Sequence, residues 1–300
     1  MMRSLYSGIS GLRNHQTRMD VIGNNISNVN TAGYKTSRVI FQDIFSQNVK
    51  GGMSNQGNVG GTNPIQIGLG IRLSTVDVMH TPAPFQRTDN ATDMMINGEG
   101  FFIVSGPEGP ESDSYFYTRL GNFYIDADGW LVNSLGYYVM TYSLGEWEGG
   151  GGDWEWVADD DPPRDALERV RLRIEEENPD DPDIQLLNFS VDDAGIISVL
   201  FNNRKVEIAQ IAIGMFSNPP GLEKAGNSLY RETPSSGEVV ATWAYNEGAG
   251  RVDGGGLEMS NVDMASEFTD MIVTQRGFQA NSRIITVSDT MLEELVNLKR

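Results

Sequence analysis

Residues 264–298 read MASEFTDMIVTQRGFQANSRIITVSDTMLEELVNL. Met264, Phe268, Met271, Gln275, Phe278, Ser282, Ile285, Asp289, Leu292 and Val296 fall on alternating steps of four and three, and Ile284, Met291 and Leu295 widen the apolar face. No proline interrupts the run. This spacing predicts a helix over about 261–298, on the order of 55 Å long, with Ser260 or Asn261 as its cap. Gln275, Ser282 and Asp289 stand where a coiled coil would place apolar groups, which weakens the seam while helping to fix its register.

The other end of the chain carries a matching stripe. Leu5, Ile9, Leu12, Gln16, Met19, Gly23 and Ile26 predict a helix over roughly 4–29, stopped by Thr31-Ala32-Gly33-Tyr34. Gly8, Gly11 and Gly23 each cost about 1 kcal/mol against alanine inside a helix, and an isolated helix is marginal because nucleation is unfavourable. Two such flawed ribbons need a partner surface. Burying one Leu, Ile, Phe or Met side chain is worth roughly 1.5–3 kcal/mol, so some ten of them outweigh the glycines once partners exist.

Between the ends the period shifts to two. Ile71–Met79 alternates as a strand and ends at Thr81-Pro82-Ala83-Pro84. Short β-branched or aromatic runs follow at 101–104, 115–119, 122–125, 130–132 and 137–140, with Asp126-Ala127-Asp128-Gly129 as a hairpin turn. A second hairpin is expected at Asn188–Val191 and Ile196–Phe201, then one more core strand at Val206–Met215. The expected fold class is α+β. Its parts are a terminal helical coiled-coil domain from 1–35 and 258–300, a connecting segment 36–70, a β-rich middle domain from 71–144 and 188–257, and an acidic insertion or small surface subdomain at 145–187.

The net charge of −19 over 300 residues disfavours nucleic acid and anionic lipid, whose phosphates it would repel. Residues 146–193 hold 17 Asp/Glu against 4 Arg, or −13 of that total, and read as a solvated face. No cysteine is present, so disulfides and thiolate metal sites are excluded. The opening MMRSLYSGISGL lacks the apolar core of a secretory signal, and no run approaches a membrane span. Export, if it occurs, is expected to proceed without a cleaved signal.

Catalytic signatures are missing. His15 and His80 are the only histidines, too few for a histidine-rich zinc site. Gly221-Leu222-Glu223-Lys224-Ala225-Gly226 is followed by Asn227-Ser228 rather than the Lys-Ser/Thr of a phosphate loop. Asp126 and Asp128 lack the later ligands of a calcium loop. The paired carboxylates of 153–193 lie in hydrated runs, whereas a glycosidase acid needs a buried, individually tuned carboxyl. The expectation is a non-enzyme with no cofactor and no metal.

The run Gly23-Asn24-Asn25-Ile26-Ser27-Asn28-Val29-Asn30-Thr31-Ala32-Gly33-Tyr34-Lys35 places four asparagines in seven positions at a helix end, more than a polar cap requires. It predicts a packed, hydrogen-bonded interface. The same run resembles the N-terminal signature of the bacterial flagellar rod and hook family. Ser260-Asn261-Val262-Asp263 and Met271–Ser282 resemble the C-terminal signature, and Ile96–Val104, Tyr117–Phe123, Asp128–Val132 and Phe216–Tyr230 resemble the family's middle domain.

The resemblance implies a coiled-coil terminal domain, a β-rich domain outside it and polymerisation into a helical tube. It implies export through the flagellar type III apparatus and addition with a cap's help. The implied partners are further copies of the chain, neighbouring rod and hook–filament junction proteins, the hook cap and the export apparatus. Nucleic acid and membrane insertion are not among them. The assembly surface is expected at Leu5, Ile9, Leu12, Met19, Asn24, Asn25, Ile26, Asn28, Thr31, Gly33 and Tyr34 on one end. On the other it is expected at Asn261, Met264, Phe268, Met271, Gln275, Phe278, Asn281, Ile285, Leu292 and Val296. Ser260–Asp263 and the ending Leu295–Arg300 look more like a hook protein, so the expected function is a structural subunit of the extracellular flagellar hook, a tube that transmits motor torque to the filament; the distal rod subunit of the basal body, whose size is not far from 300 residues, is the runner-up. A secreted carbohydrate-binding or adhesive β protein is the alternative from another class.

Overall fold

The computed structural model describes residues 2–54, 60–106, 115–149, 154–158, 167–170, 172, 189–201 and 204–298. The chain divides into two compact units. The first comprises Met1–Val29, Thr36–Met79 and Val262–Arg300, and the second comprises Asn30–Lys35 and His80–Asn261.

In the first unit, helix α1 spans Met2–Ser27 and helix α2 spans Met264–Asn297, close to the two sequence stripes. α2 starts later than expected, because Asp263 is its cap: the Asp263 side chain accepts a hydrogen bond from the Ala265 amide at 3.0 Å. Glu267 in the first turn suits the positive end of the helix dipole.

Between the helices run β1 (Ser37–Asp43), β2 (Ser46–Lys50), β3 (Ile65–Gly68) and β4 (Ile71–Val78). β1 pairs antiparallel with β4, with a register shift between Ile40 and Phe41, and β2 pairs with β3. Residues 36–70, expected as a connector, thus contain three strands. The strand at 71–78, expected in the β-rich domain, completes a two-stranded ladder in the first unit. Period-two patterning marks a strand but not its partner, which here lies upstream.

The second unit is β-rich. A six-stranded sheet runs in the order 223–226, 229–231, 115–118, 101–105, 213–215, 240–242, and a five-stranded sheet in the order 168–169, 140–143, 204–211, 196–201, 189–191. Phe101–Ser105 is buried along its whole length because its alternate side chains feed two clusters. Phe102 and Val104 join Met94, Ile96, Phe123, Leu131, Ile197 and Ile211, while Phe101 and Ile103 join Tyr117, Tyr142, Phe216 and Tyr230. The expected turn at 126–129 closes with the Gly129 amide donating to the Asp126 carbonyl at 2.9 Å.

The 145–187 segment, expected on the surface, sends part of itself into this unit. Gly145–Gly149 pairs with Trp154–Ala158 as a hairpin, and Glu168–Arg169 adds a short edge strand beside Met140–Thr141. Val170 and Leu172 are buried in the larger cluster. The sequence alternation of Val170 and Leu172 puts both on one face of the chain, and that face is core in spite of the acidic composition around it. The acidic runs Asp159–Asp161, Glu175–Glu177 and Asp180-Asp181 lie outside the described residues.

Candidate assembly interface

α1 and α2 pack antiparallel: Gly8 faces Ile285, Gly11 faces Asn281, His15 faces Gly277, and Arg18 pairs with Asp270 at 2.9 Å. Two of the three glycines that weaken α1 as an isolated helix, Gly8 and Gly11, are where it touches its partner, whereas a Cβ on Gly23 would meet nothing within 4 Å. A Cβ on Gly11 would lie 2.5 Å from Asn281 Nδ2, and one on Gly277 would lie 2.8 Å from the His15 ring. Two helices whose facing residues are this small approach more closely than leucine-faced ones, and the contact recovers part of the propensity cost.

The seam falls partly off the apolar stripe. Thr274 and Ser288 are the buried side chains of α2. Neither carried a hydrophobic signal. The side chains of Met271, Phe278, Asn281, Ile285 and Leu292 are half-buried, as are Leu5, Leu12, Met19 and Ile26 of α1. Met264, Phe268, Gln275 and Val296 of α2 and Ile9 of α1 are exposed. Beside them lies an apolar surface not in the expected set: Tyr6, Ile272, Val273, Ile284, Val287, Met291 and Leu295. Val296 is 66% exposed and Tyr6 65%. α2 also continues through Leu292–Asn297, beyond the described residues of α1.

The β2–β3 hairpin is exposed on both faces and displays Phe45, Val49, Met53, Ile65 and Ile67, with Phe45 at 85% exposure. A two-stranded ribbon with unpaired edges and apolar side chains in water is not independently stable. It belongs with the exposed helix face as candidate contact surface.

The asparagine run resolves into separate roles. Asn25 is buried and spends its amide within the first unit. Nδ2 donates to the Ser37 carbonyl at 2.9 Å and to Glu267 Oε1 at 3.0 Å, and Oδ1 accepts from the Ser37 amide at 3.0 Å. Burial pushes the Glu267 carboxyl pKa upward, while the bonds from Asn25 and Thr36 pull it down. Asn24 is exposed, and Asn28 Nδ2 donates back to the Asn24 carbonyl at 2.9 Å, finishing α1.

Thr31, Gly33, Tyr34 and Asn261 belong to the second unit. Thr31 is exposed. Gly33 is buried at φ +69°, its amide donates to the Glu258 carbonyl at 2.8 Å, and a Cβ there would lie 3.0 Å from the Leu120 nitrogen. Both the left-handed backbone and the close approach require glycine. Gly33→Val is expected to lose about 2–4 kcal/mol of stability in urea unfolding, from left-handed strain plus overpacking against immovable backbone. An unchanged midpoint would refute this assignment. The Tyr34 carbonyl accepts from the Asn261 amide at 3.4 Å, and Lys224 Nζ sits 5.2 Å from the Tyr34 ring centroid.

Among the described residues no group of three or more His, Asp or Glu side chains could hold a metal ion, and no helix is long and apolar enough to cross a membrane. Chain ends paired as helices, with a β-rich middle and apolar surface left open on both helix pair and hairpin, define an α+β structural subunit.

Three family models match successive parts of the chain. Residues 5–35 match "Flagella basal body rod protein", residues 95–199 match "Flagellar hook protein FlgE/F/G D1 domain", and residues 254–298 match "Flagellar basal body rod FlgEFG protein C-terminal". The flagellar basal-body rod protein FlgG of Bacillus subtilis is 43% identical over 302 residues, covering all of both chains. The FlgG rod protein of Borreliella burgdorferi is 34% identical over 306 residues, and the hook protein FlgE of the same organism is 31% identical over 446, each again covering both chains fully. The chain belongs to the flagellar basal-body rod and hook protein family.

Proposed function

We propose that this chain is a rod subunit of the bacterial flagellum, a non-catalytic protein that polymerises with its own kind into a helical tube and transmits motor torque. The observation that carries the rod reading over the expected hook reading is length. Rod proteins align with the whole chain over 302 and 306 positions, whereas hook proteins of the family need 446 and 468. The hook relatives therefore carry substantial sequence that has no counterpart here.

Assembly is carried by the exposed face of α2, by Tyr6 and Ile9 of α1, and by the β2–β3 hairpin. A side chain half-exposed in the single chain has about half of its roughly 1.5–3 kcal/mol still to gain on burial. The nine exposed apolar side chains Met264, Phe268, Ile272, Val273, Ile284, Val287, Met291, Leu295 and Val296 of α2 supply enough to order neighbouring copies. Partners are further copies, adjoining rod and hook proteins, and the export and capping components of the same organelle.

Labelled-antibody electron microscopy of isolated hook–basal bodies tests this reading, with a chain lacking 1–30 or 260–300 as control. Label confined to the rod is expected, and incorporation of the truncated chains should vanish. Label along the hook would replace the rod reading with the hook reading. Incorporation without both ends would defeat the assembly mechanism itself.

A further inference from the structure

A buried ionic cluster in the second unit has no part in that assembly surface. Lys35, at the end of the 30–35 segment, is fully buried, and its ammonium donates to Glu258 Oε1 and to the Thr81 carbonyl, each at 2.6 Å. Glu258 Oε1 also accepts from the Ala83 amide at 3.1 Å, and Glu258 Oε2 lies 3.7 Å from Arg119 Nη1. Arg119 is itself anchored on the Ile96 and Gly98 carbonyls. Asn261 adds a bond from Nδ2 to Thr81 Oγ1 at 2.8 Å.

Lys35, Thr81 and Asn261 lie at or next to three of the points where the chain enters or leaves the second unit. Asn30–Lys35 is bounded by the first unit on both sides, His80 begins the long segment, and Asn261 ends it. Six residues of backbone could not hold such a position alone. They are held by the Gly33 amide on the Glu258 carbonyl, by the Asn261 amide on the Tyr34 carbonyl, and by the Lys35 ammonium reaching into a site built by Thr81, Ala83, Arg119 and Glu258.

We propose that residues 30–35 form a releasable clasp, in which Lys35 fastens the segment following α1 to the last strand of the β-rich unit (Gly256–Glu258) through Glu258 and to the loop ahead of its first strand (Phe85–Arg87) through the Thr81 carbonyl. Closed, the clasp fixes where both chain ends leave this unit. Open, it turns the segment into a six-residue tether while the two sheets stay folded, since neither sheet includes any residue of 30–35. The inference does not depend on whether the chain is a rod or a hook subunit.

Amide hydrogen exchange on the full chain tests it, comparing wild type with Lys35→Met. The Gly33 and Asn261 amides report the clasp, because they donate to Glu258 and Tyr34. The amides of Ile103 and Val104 report the sheet. Removing one partner of a buried ion pair should accelerate exchange at Gly33 and Asn261 by about 100-fold or more, with Ile103 and Val104 changed by much less. Equal acceleration at all four, or none at Gly33, would overturn the proposal. Should Lys35→Met fail to fold, wild type in low urea decides. Gly33 and Asn261 should then exchange through an opening with a smaller urea dependence than Ile103, and a shared dependence would overturn the clasp.

Discussion

Replacing Glu258 with leucine will destabilise the protein by about 3–5 kcal/mol, seen as a lowered urea midpoint. The carboxylate is fully buried between Lys35 and Arg119, whose side chains are 0% and 2% exposed. Leucine fills similar volume, so lost packing is a minor part of the loss. What remains are two buried cations that have lost the carboxylate between them and an Ala83 amide with no acceptor. Burial already outweighs the attraction of Glu258 and holds the Lys35 ammonium below the ordinary lysine range. Without the carboxylate that imbalance deepens. The triple variant Glu258→Leu, Lys35→Met, Arg119→Met should recover part of the loss, because removing a whole ionic group costs less than orphaning its members. A single variant as stable as wild type would show that the cluster holds nothing together.

Acid will weaken the second unit through His80. Its ring lies edge-on to Phe101 and Tyr230, with centroids 5.3 and 5.6 Å away, and its Nδ1 has no hydrogen-bond partner among the described residues. Desolvation first, then Arg119, Lys35 and Lys224, hold its pKa down to about 4. In the unfolded chain the imidazole takes a proton near pH 6.5, whereas in the folded protein it does so only near 4. Above pH 6.5 the group therefore contributes nothing to the pH dependence. As pH falls from 6.5 towards 4 the unfolded state binds the proton alone and stability drops, by roughly 3 kcal/mol at about 1.4 kcal/mol per pK unit. Urea unfolding at pH 7 and pH 4 should show this loss in wild type beyond that in His80→Phe, where carboxylate effects cancel in the comparison. Parallel losses would exclude His80 as the source.

The helices were legible because their information is local. The step-of-four-and-three stripes locate both α1 and α2 to within a few residues, and only the cap shifts, to Asp263, whose side chain reaches the backbone two residues on. Thr274 and Ser288 were not legible as seam residues, since hydrophobic periodicity is blind to small polar groups that let helices approach. The same holds for Gly8, Gly11 and Gly277, which read as defects until a partner is placed opposite them. Asn25 stood out in the sequence, but its partners Ser37 and Glu267 lie 12 and 242 residues away, and only folding reveals that its bonds stay within the chain. The pairing of Lys35 with Glu258 spans 223 residues, and nothing in either neighbourhood signals it. Long-range polar pairs leave no periodic trace, so the charged centre of the second unit was invisible while its strands were plain.

In the register that sets Gly8 against Ile285, Leu292–Asn297 of α2 extends beyond the described residues of α1, about 9 Å of helix at 1.5 Å per residue. If copies stack end to end along the tube, this overhang works as a lap joint: each piece reaches past its own mate to lie along the next. Splices of that kind resist twisting better than butted ends, because shear is shared over the overlapped length instead of meeting at a single plane. Shortening the overhang turn by turn should therefore make the shaft more compliant before it makes it fall apart.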